Sequence, residues 1–296
     1  VVWDDHEVAN DNWREGAENH TEGEEGAFLD RRKAAMQAYF EWMPVRATNP
    51  SEQGHLYRSL TFGDLVELTM MDLRTYRDEQ VRFGPRKMAA EGRTMLGSEQ
   101  YNWLLNKIET SSAKWNMLGN SVMFSPMNLA TLQQDDKTKP VSSSLSSNIT
   151  GIPVNGDQWD GYSAERRLLI DALSKHDSHT LFVTGDIHSE WAHNISKDGR
   201  IFGAEMVCAS VSAPNVNEQL KLPEGNELSK LAERYLMGAN PHTRHVDLDH
   251  HGYSFVTVRP DSAEMHWLRV DNLLTAKSPV REAVTMTWRP GEGYSE

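Results

Sequence analysis

The sharpest group of chemistry-bearing residues is Phe182-Val183-Thr184-Gly185-Asp186-Ile187-His188-Ser189. An apolar run that delivers Gly, Asp, any residue, then His reads as a strand ending in a tight turn. In open α/β sheets, ligands sit beyond the carboxyl ends of the strands. Glycine there lets the backbone pass close to an ion or a phosphate. A carboxylate and an imidazole two residues apart reach one small volume when the turn is tight, and that pair suits a hard or borderline metal ion. The same spacing also allows Asp186 to cap the turn and His188 to pack under Trp191.

A second group is Trp3-Asp4-Asp5-His6-Glu7-Val8-Ala9-Asn10. Four consecutive ionisable residues lie between Val2, Trp3 and Val8, which favour burial. Acids held near an apolar layer need metal ions, arginines or backbone donors as partners. Asn10 adds a neutral oxygen or an oxyanion donor. Alone, the segment reads more readily as a charged loop at a frayed terminus. Two such strand ends in one chain are the way binuclear hydrolases are built: each strand donates one or two ligands, and the metals activate water and neutralise a transferring phosphoryl group.

Other residues are less specific. Asp72-Leu73-Arg74-Thr75-Tyr76-Arg77 ends an apolar run with two arginines. The guanidinium fork binds two phosphate oxygens at once, although Asp–Arg surface pairs have the same signature. His242, His245, His250 and His251, with Asp247 and Asp249, cluster on a predicted loop before Gly252-Tyr253 and could supply a ligand or remain surface polar groups. Cys208, between Val207 and Ala209, reads as a small core residue rather than a nucleophile. There is neither a Gly-x-Ser-x-Gly elbow nor a Walker A loop.

The elements that would position these residues follow from hydrophobic spacing. Residues 4–26 are polar and acidic and read as a loop, and Val1-Val2-Trp3 before them as the end of a strand. Residues 28–45 carry Ala34, Ala35, Ala38, Tyr39 and Trp42 at helical spacing. Residues 56–62 and 65–73 read as strands joined by a Gly63-Asp64 hairpin turn. A helix is expected at 98–111 with Ser98 as N-cap, and a strand at 116–124. Residues 125–160 form a long Ser/Asn/Asp-rich stretch without period, either a functional surface loop or local disorder. A helix follows at 163–175, strands at 180–184 and 200–212, and a helix at 226–237. Strands at 253–259, 263–270 and 283–288 close the chain, the first two around Pro260-Asp261-Ser262. Strand–helix alternation followed by hairpins predicts mixed sheets packed together with helices outside, in one domain.

The 296 residues carry 30 Lys plus Arg against 43 Asp plus Glu, a net charge of −13. That balance argues against broad nucleic-acid binding, because few cations are on hand to displace phosphate counterions. No apolar run reaches the roughly 18 residues of a membrane-spanning helix. A single cysteine excludes an internal disulfide framework. The first residue is Val1 rather than Met, and the opening reads as mid-strand, so the chain is expected to be an amino-terminally truncated part of a longer domain.

Several long segments, in order, resemble the PhoD-like family of alkaline phosphatase D and its phosphodiesterase relatives. They are WDDHEVAND from Trp3, RRKAAMQAYFEWMPVR from Arg31, LYRSLTFGDLVELTMMDLRTYRDEQ from Leu56, WNMLGNSVMFSP from Trp115, DQWDGYSAERRLLI from Asp157, VTGDIHSEWA from Val183, ASVSAPN from Ala209 and the HGY of His251 to Tyr253. The resemblance implies an α/β metallophosphatase-like sandwich of mixed sheets flanked by helices, with its first strands and their metal ligands missing, over residues 1–296. It implies hydrolysis of phosphomonoesters and phosphodiesters at an iron and calcium centre, with other divalent metals as alternatives. By the same resemblance Asp186 and His188 belong to the metal centre, Asp5 and Asn10 compete for a ligand position, and His6 stabilises the transition state; Asp4 and Arg74 are expected as catalytic residues with His6. A small phosphate-ester substrate, a phospholipid or cell-wall phosphodiester among the options, and an exported or cell-envelope location are further implications. The alternatives are that this chain alone is inactive, or that it serves as a non-enzymatic interaction module.

Overall fold

The computed structural model describes residues 1–47, 54–82, 84–131, 151–153 and 155–295. In chain order the helices are α1 (Glu22–Glu25), α2 (Phe28–Trp42), α3 (Pro85–Met88), α4 (Gly97–Thr110), α5 (Ser163–Leu173), α6 (Val216–Gln219) and α7 (Glu227–Ala239). The strands are β1 (Arg58–Phe62), β2 (Val66–Met70), β3 (Trp115–Asn120), β4 (Asn128–Thr131), β5 (Gly151–Pro153), β6 (His179–Thr184), β7 (Glu190–Lys197), β8 (Arg200–Val207), β9 (Thr243–Asp247), β10 (Gly252–Arg259), β11 (Ser262–Val270), β12 (Val280–Arg289) and β13 (Gly293–Ser295). A 3-10 turn covers Trp159–Tyr162.

Two sheets make the sandwich. The larger has seven strands in the order β1-β2-β3-β6-β8-β7-β9, and the smaller is a four-stranded meander, β10-β11-β12-β13. Within the larger sheet, β2, β3, β6 and β8 run parallel, while β1, β7 and β9 join antiparallel. Four parallel strands therefore release their carboxyl ends along one edge. Residues 71–77, 121–125, 185–188 and 208–210 all emerge there, which is where ligands gather in open α/β sheets.

Both faces of the large sheet are covered. One carries α4 and α5, whose Leu104, Ile108, Leu169 and Leu173 pack on Leu118 and Phe182. In α4 the buried residues Gln100, Leu104 and Ile108 recur every four positions, a single helical stripe. The other face meets the small sheet through Trp115, Leu181, Met206, Met265, Trp267 and Trp288. Trp115 and Trp288 meet edge-on with ring centroids 5.6 Å apart. Trp267 Nε1 donates to Val207 O at 3.0 Å and so ties the small sheet to the end of β8.

Most predicted elements form, with informative shifts. Val1–Trp3 is not a strand; Trp3 is buried against Tyr39 at a centroid distance of 5.4 Å and donates Nε1 to Asp72 Oδ1 at 3.0 Å. The helix expected from Ser98 begins at Gly97, and its first turn is held by Thr94, whose Oγ1 accepts from Gly97 N at 2.7 Å. Strand β8 stops at Val207, because residues 208–210 turn away at the sheet edge. His245 lies on β9 rather than on a loop. Strand β7 has no alternating pattern: its first six residues are all buried, so periodicity does not announce it. The middle of the expected 125–160 loop, residues 132–150, lies outside the described residues, and β4 and β5 pair on either side of it.

Trp288 is 0% exposed, and its Nε1 finds no partner among the described residues, so its role is packing between the sheets. Trp288→Ala is expected to lower stability by about 3–5 kcal/mol, read from urea unfolding; a loss below about 1 kcal/mol would contradict this packing role.

Candidate active site

At that sheet edge lies an open cleft of about 630 Å³. Its wall includes the carboxylates of Asp4, Asp5, Glu7, Asp11, Asp157 and Asp186, with His6, Asn10 and His188, and no lysine or arginine among the described residues lines it. Oxygen atoms of Asp4, Asp5 and Asp186 lie within 4.8 Å of one another. The amino-terminal segment and the end of β6 thus converge, as their residue types imply.

Behind the acids sits Arg74, with its side chain 1% exposed. Its Nε donates to Asp4 Oδ1 at 2.6 Å. Nη1 donates to both oxygens of Asp157, at 3.1 and 3.0 Å, and Nη2 to Asp186 Oδ1 at 2.9 Å. Asp5 stands 4.0 Å from the same Nη2. Arg77 supports this arrangement from below. It donates Nη2 to Asp157 Oδ1 at 2.6 Å, Nη1 to Asp157 O at 2.7 Å and Nε to Asn12 O at 2.8 Å. The arginine fork read as suited to phosphate is turned here onto carboxylates.

Local sequence explains how Arg74 is aimed. Asp72 Oδ1 accepts from Arg74 N at 3.2 Å and Thr75 N at 3.0 Å, an Asx-type turn directly after β2. Gln100 of α4 clasps the Asp72 backbone in both directions: its Oε1 accepts from Asp72 N at 2.8 Å and its Nε2 donates to Asp72 O at 2.7 Å.

The turn after β6 is unusual. Asp186 and His188 both have positive φ, at 71° and 51°, a region that non-glycine residues rarely occupy. Such backbone strain concentrates at functional sites. Gln158 Nε2 donates to Asp186 Oδ2 at 3.1 Å. His188 Nδ1 lies 3.1 Å from Pro214 O. Because a carbonyl only accepts, Nδ1 donates in this contact, which leaves Nε2 as the ring nitrogen outside it.

The remaining predicted residues are placed as follows. Asp5 Oδ2 accepts from Asp11 N at 2.8 Å. Asn10 donates Nδ2 to Glu18 Oε2 at 2.6 Å. His6 stands at the mouth with its side chain 75% exposed. His250 and His251 are not among the cleft-lining residues: His250 pairs with Asp247 and Glu224, and His251 with Glu218. Cys208 lines the cleft rather than the core, half-buried, and burial pushes its thiol up, away from thiolate. Asp11 and Asp157 were not signalled by spacing; Asp157 meets Arg74 across 83 residues of chain.

The electrostatics follow from crowding. Burial raises Asp4, but the pull of Arg74 outweighs it and leaves the carboxyl below the usual range. Asp157 is likewise raised by burial and lowered further by Arg74 and Arg77. Asp186 is raised well above the usual range by burial and by repulsion from Asp4, against which Arg74 is insufficient. Asp11 is pushed up to about 6 by burial and by Asp157. More negative charge faces the cleft than the two arginines behind it balance. A cation inverts this balance, and an all-oxygen set within 4.8 Å suits hard ions such as calcium, or borderline iron and manganese with the His188 nitrogen nearby.

Removing Arg74 tests the arrangement. Arg74→Met is expected to cost about 3–5 kcal/mol at neutral pH, because buried carboxylates lose their partner. Asp4 and Asp157 have lowered values in the folded protein. Their contribution is therefore present above the ordinary carboxylate value of 3.8 and lost as pH falls through the lower folded values. Unfolding measured across pH should show the gap between wild type and variant full at pH 7 and narrowing in acid; a gap independent of pH would contradict this pairing.

Comparison with known proteins agrees with the architecture. A family model described as PhoD-like phosphatase matches residues 1–267. The chain is 34% identical over 276 residues to alkaline phosphatase D of Bacillus subtilis (strain 168), covering 88% of this chain and 42% of that protein. A solved structure of PhoD superposes with a TM-score of 0.79 at 26% identity, covering 100% of this chain and 54% of that one. The chain spans about half the length of these relatives. With its sandwich, its carboxylate-lined cleft and the family match over residues 1–267, the chain belongs to the PhoD-like phosphatase family.

Proposed function

We propose that this chain forms one wall of the active site of a metal-dependent phosphoric-ester hydrolase acting on phosphomonoesters and phosphodiesters. The observation that carries this reading is the cleft lining among the described residues: six carboxylates, those of Asp4, Asp5, Glu7, Asp11, Asp157 and Asp186, and no lysine or arginine. An anionic phosphoester entering such a cleft is repelled unless cations are already there. The family resemblance favours iron and calcium as those cations. When bound, they would supply Lewis acidity that activates water and offsets phosphoryl charge.

Asp5, Asp186 and His188 would hold the cations, His188 through Nε2, with Asn10 as the alternative oxygen ligand to Asp5. Asp4 lies in hydrogen-bond contact with Arg74 and would keep the acidic group in register. Arg74 would act as the internal counter-charge that keeps four acids folded together. His6, exposed at the mouth, would donate a hydrogen bond to the phosphoryl oxygens or the leaving group.

The cleft has room for an organic group beside a phosphate, which supports diesters, a phospholipid or a cell-wall phosphodiester among them. The net charge of −13 disfavours nucleic acid. No helix among the described residues is long and apolar enough to cross a membrane. An exported or cell-envelope setting accords with the family resemblance. The ligand-type residues at both segments count against a purely structural module.

The test is hydrolysis of bis-p-nitrophenyl phosphate by the full-length protein. Chelation should abolish turnover and added metal restore it. Asp186→Ala and His188→Ala should each lower kcat by roughly 100-fold or more. Full retention in both variants would contradict the assignment.

A further inference from the structure

Outside the cleft lining, a further acidic residue is buried behind the strand ends. Glu205 lies on β8, 0% exposed. Its Oε1 accepts from Phe124 N at 2.7 Å and from Thr184 Oγ1 at 2.8 Å; its Oε2 accepts from Ser125 N at 2.8 Å. Phe124 and Ser125 belong to the segment that leaves β3, and Thr184 is the last residue of β6, two before Asp186. One carboxylate thus joins two of the strand ends that build the cleft.

The connections continue past Thr184. Its Oγ1 accepts from Asn120 Nδ2 at 3.0 Å, and Asn120 Oδ1 accepts from Trp159 Nε1 at 2.9 Å. Trp159 N donates to Met123 O at 3.3 Å, so the indole residue is tied to the β3 exit by both its side chain and its backbone. Trp159 follows Asp157 and Gln158 directly, and Gln158 donates to Asp186 Oδ2 at 3.1 Å. The path therefore closes on itself: Glu205, Thr184, Asn120, Trp159, Gln158, Asp186.

We propose that Glu205 is a positioning residue for the candidate metal centre, fixing through Thr184 and the Phe124–Ser125 backbone where Asp186 stands relative to Gln158 and Asp157. The role rests on the metal-dependent reading above. The geometry calls for a carboxyl group in particular. A backbone N–H faces each of its two oxygens, so each oxygen must accept, and these bonds oppose the burial that pushes the group up. An amide at this position would turn an N–H towards a backbone N–H and leave a buried donor without a partner. Partners behind a metal ligand of this kind typically change affinity by about 10–100-fold when removed.

Two variants separate positioning from general stability. Glu205→Gln keeps shape and removes one acceptor; Thr184→Val keeps the strand and removes the hydroxyl bridge. In each folded variant of the full chain, the Trp159 indole N–H and Gln158 side-chain amide resonances should shift and lose exchange protection, while the Trp267 indole signal stays unchanged. Titration with Mn²⁺ alone should show affinity about tenfold weaker in both variants. Unchanged Gln158 and Trp159 signals in both would overturn the proposal. Altered signals with wild-type Mn²⁺ affinity would also overturn it, since Asp186 would then be placed without Glu205. If the wild-type protein binds no Mn²⁺, the metal-centre reading falls, and the two resonances alone decide whether Glu205 positions Asp186.

Discussion

A guanidinium buried among carboxylates is the interaction on which the rest of this structure depends. Arg74 touches Asp4, Asp157 and Asp186, which lie 70, 83 and 112 residues from it in sequence. Without it Asp4 and Asp186 would have no arginine partner at the sheet edge, and an unpaired buried charge costs several kcal/mol. Arg77 fixes the far side of Asp157, and the Asp72 turn aims Arg74. The cluster is nonetheless under-neutralised, and Asp186 is pushed up accordingly. A site that holds its shape with one internal cation and still has negative charge in excess is suited to receive further cations.

Topology explains why this cluster forms where it does. Parallel β2, β3, β6 and β8 end on one edge, so Arg74, the β3 exit, Asp186 and Cys208 need only short turns to meet. The smaller sheet contributes no residue to the cleft lining, but its Trp267 and Trp288 brace the back of the same strands. Glu205 works within that layer, joining the β3 exit and the end of β6 alongside the Asn120–Thr184 hydrogen bond. Packing, register and charge thus bear on one place, which is the consistency expected of a functional site.

Much of this was legible in the residues themselves. Gly185-Asp186-Ile187-His188 after an apolar strand, and Asp4-Asp5-His6-Glu7 beside buried Trp3, carry signals in local order, and the structure brings both to one cleft. The hairpin of β10 and β11 follows from alternation. Strand β7 does not, because its polar residues Glu190, His193 and Asn194 are buried and meet partners distant in sequence. Glu190 is held by Arg269 and His245, and His193 by Thr243. Arg74 was visible as a cation at a strand end, but its partners were not, since no local pattern links it to Asp157. Asp11 and Glu205 were invisible for the same reason: their roles arise only when separate segments close around them.

Whether the cleft between Asp4, Asp5 and Asp186 is a cation site, rather than only a pocket of charge offset by Arg74, is read from anomalous diffraction by crystals of the protein soaked in Mn²⁺. A cation site gives an anomalous peak within about 2.0–2.6 Å of carboxylate oxygens from this trio. Peaks confined to other parts of the surface, with the cleft empty at saturating Mn²⁺, would contradict a cation site.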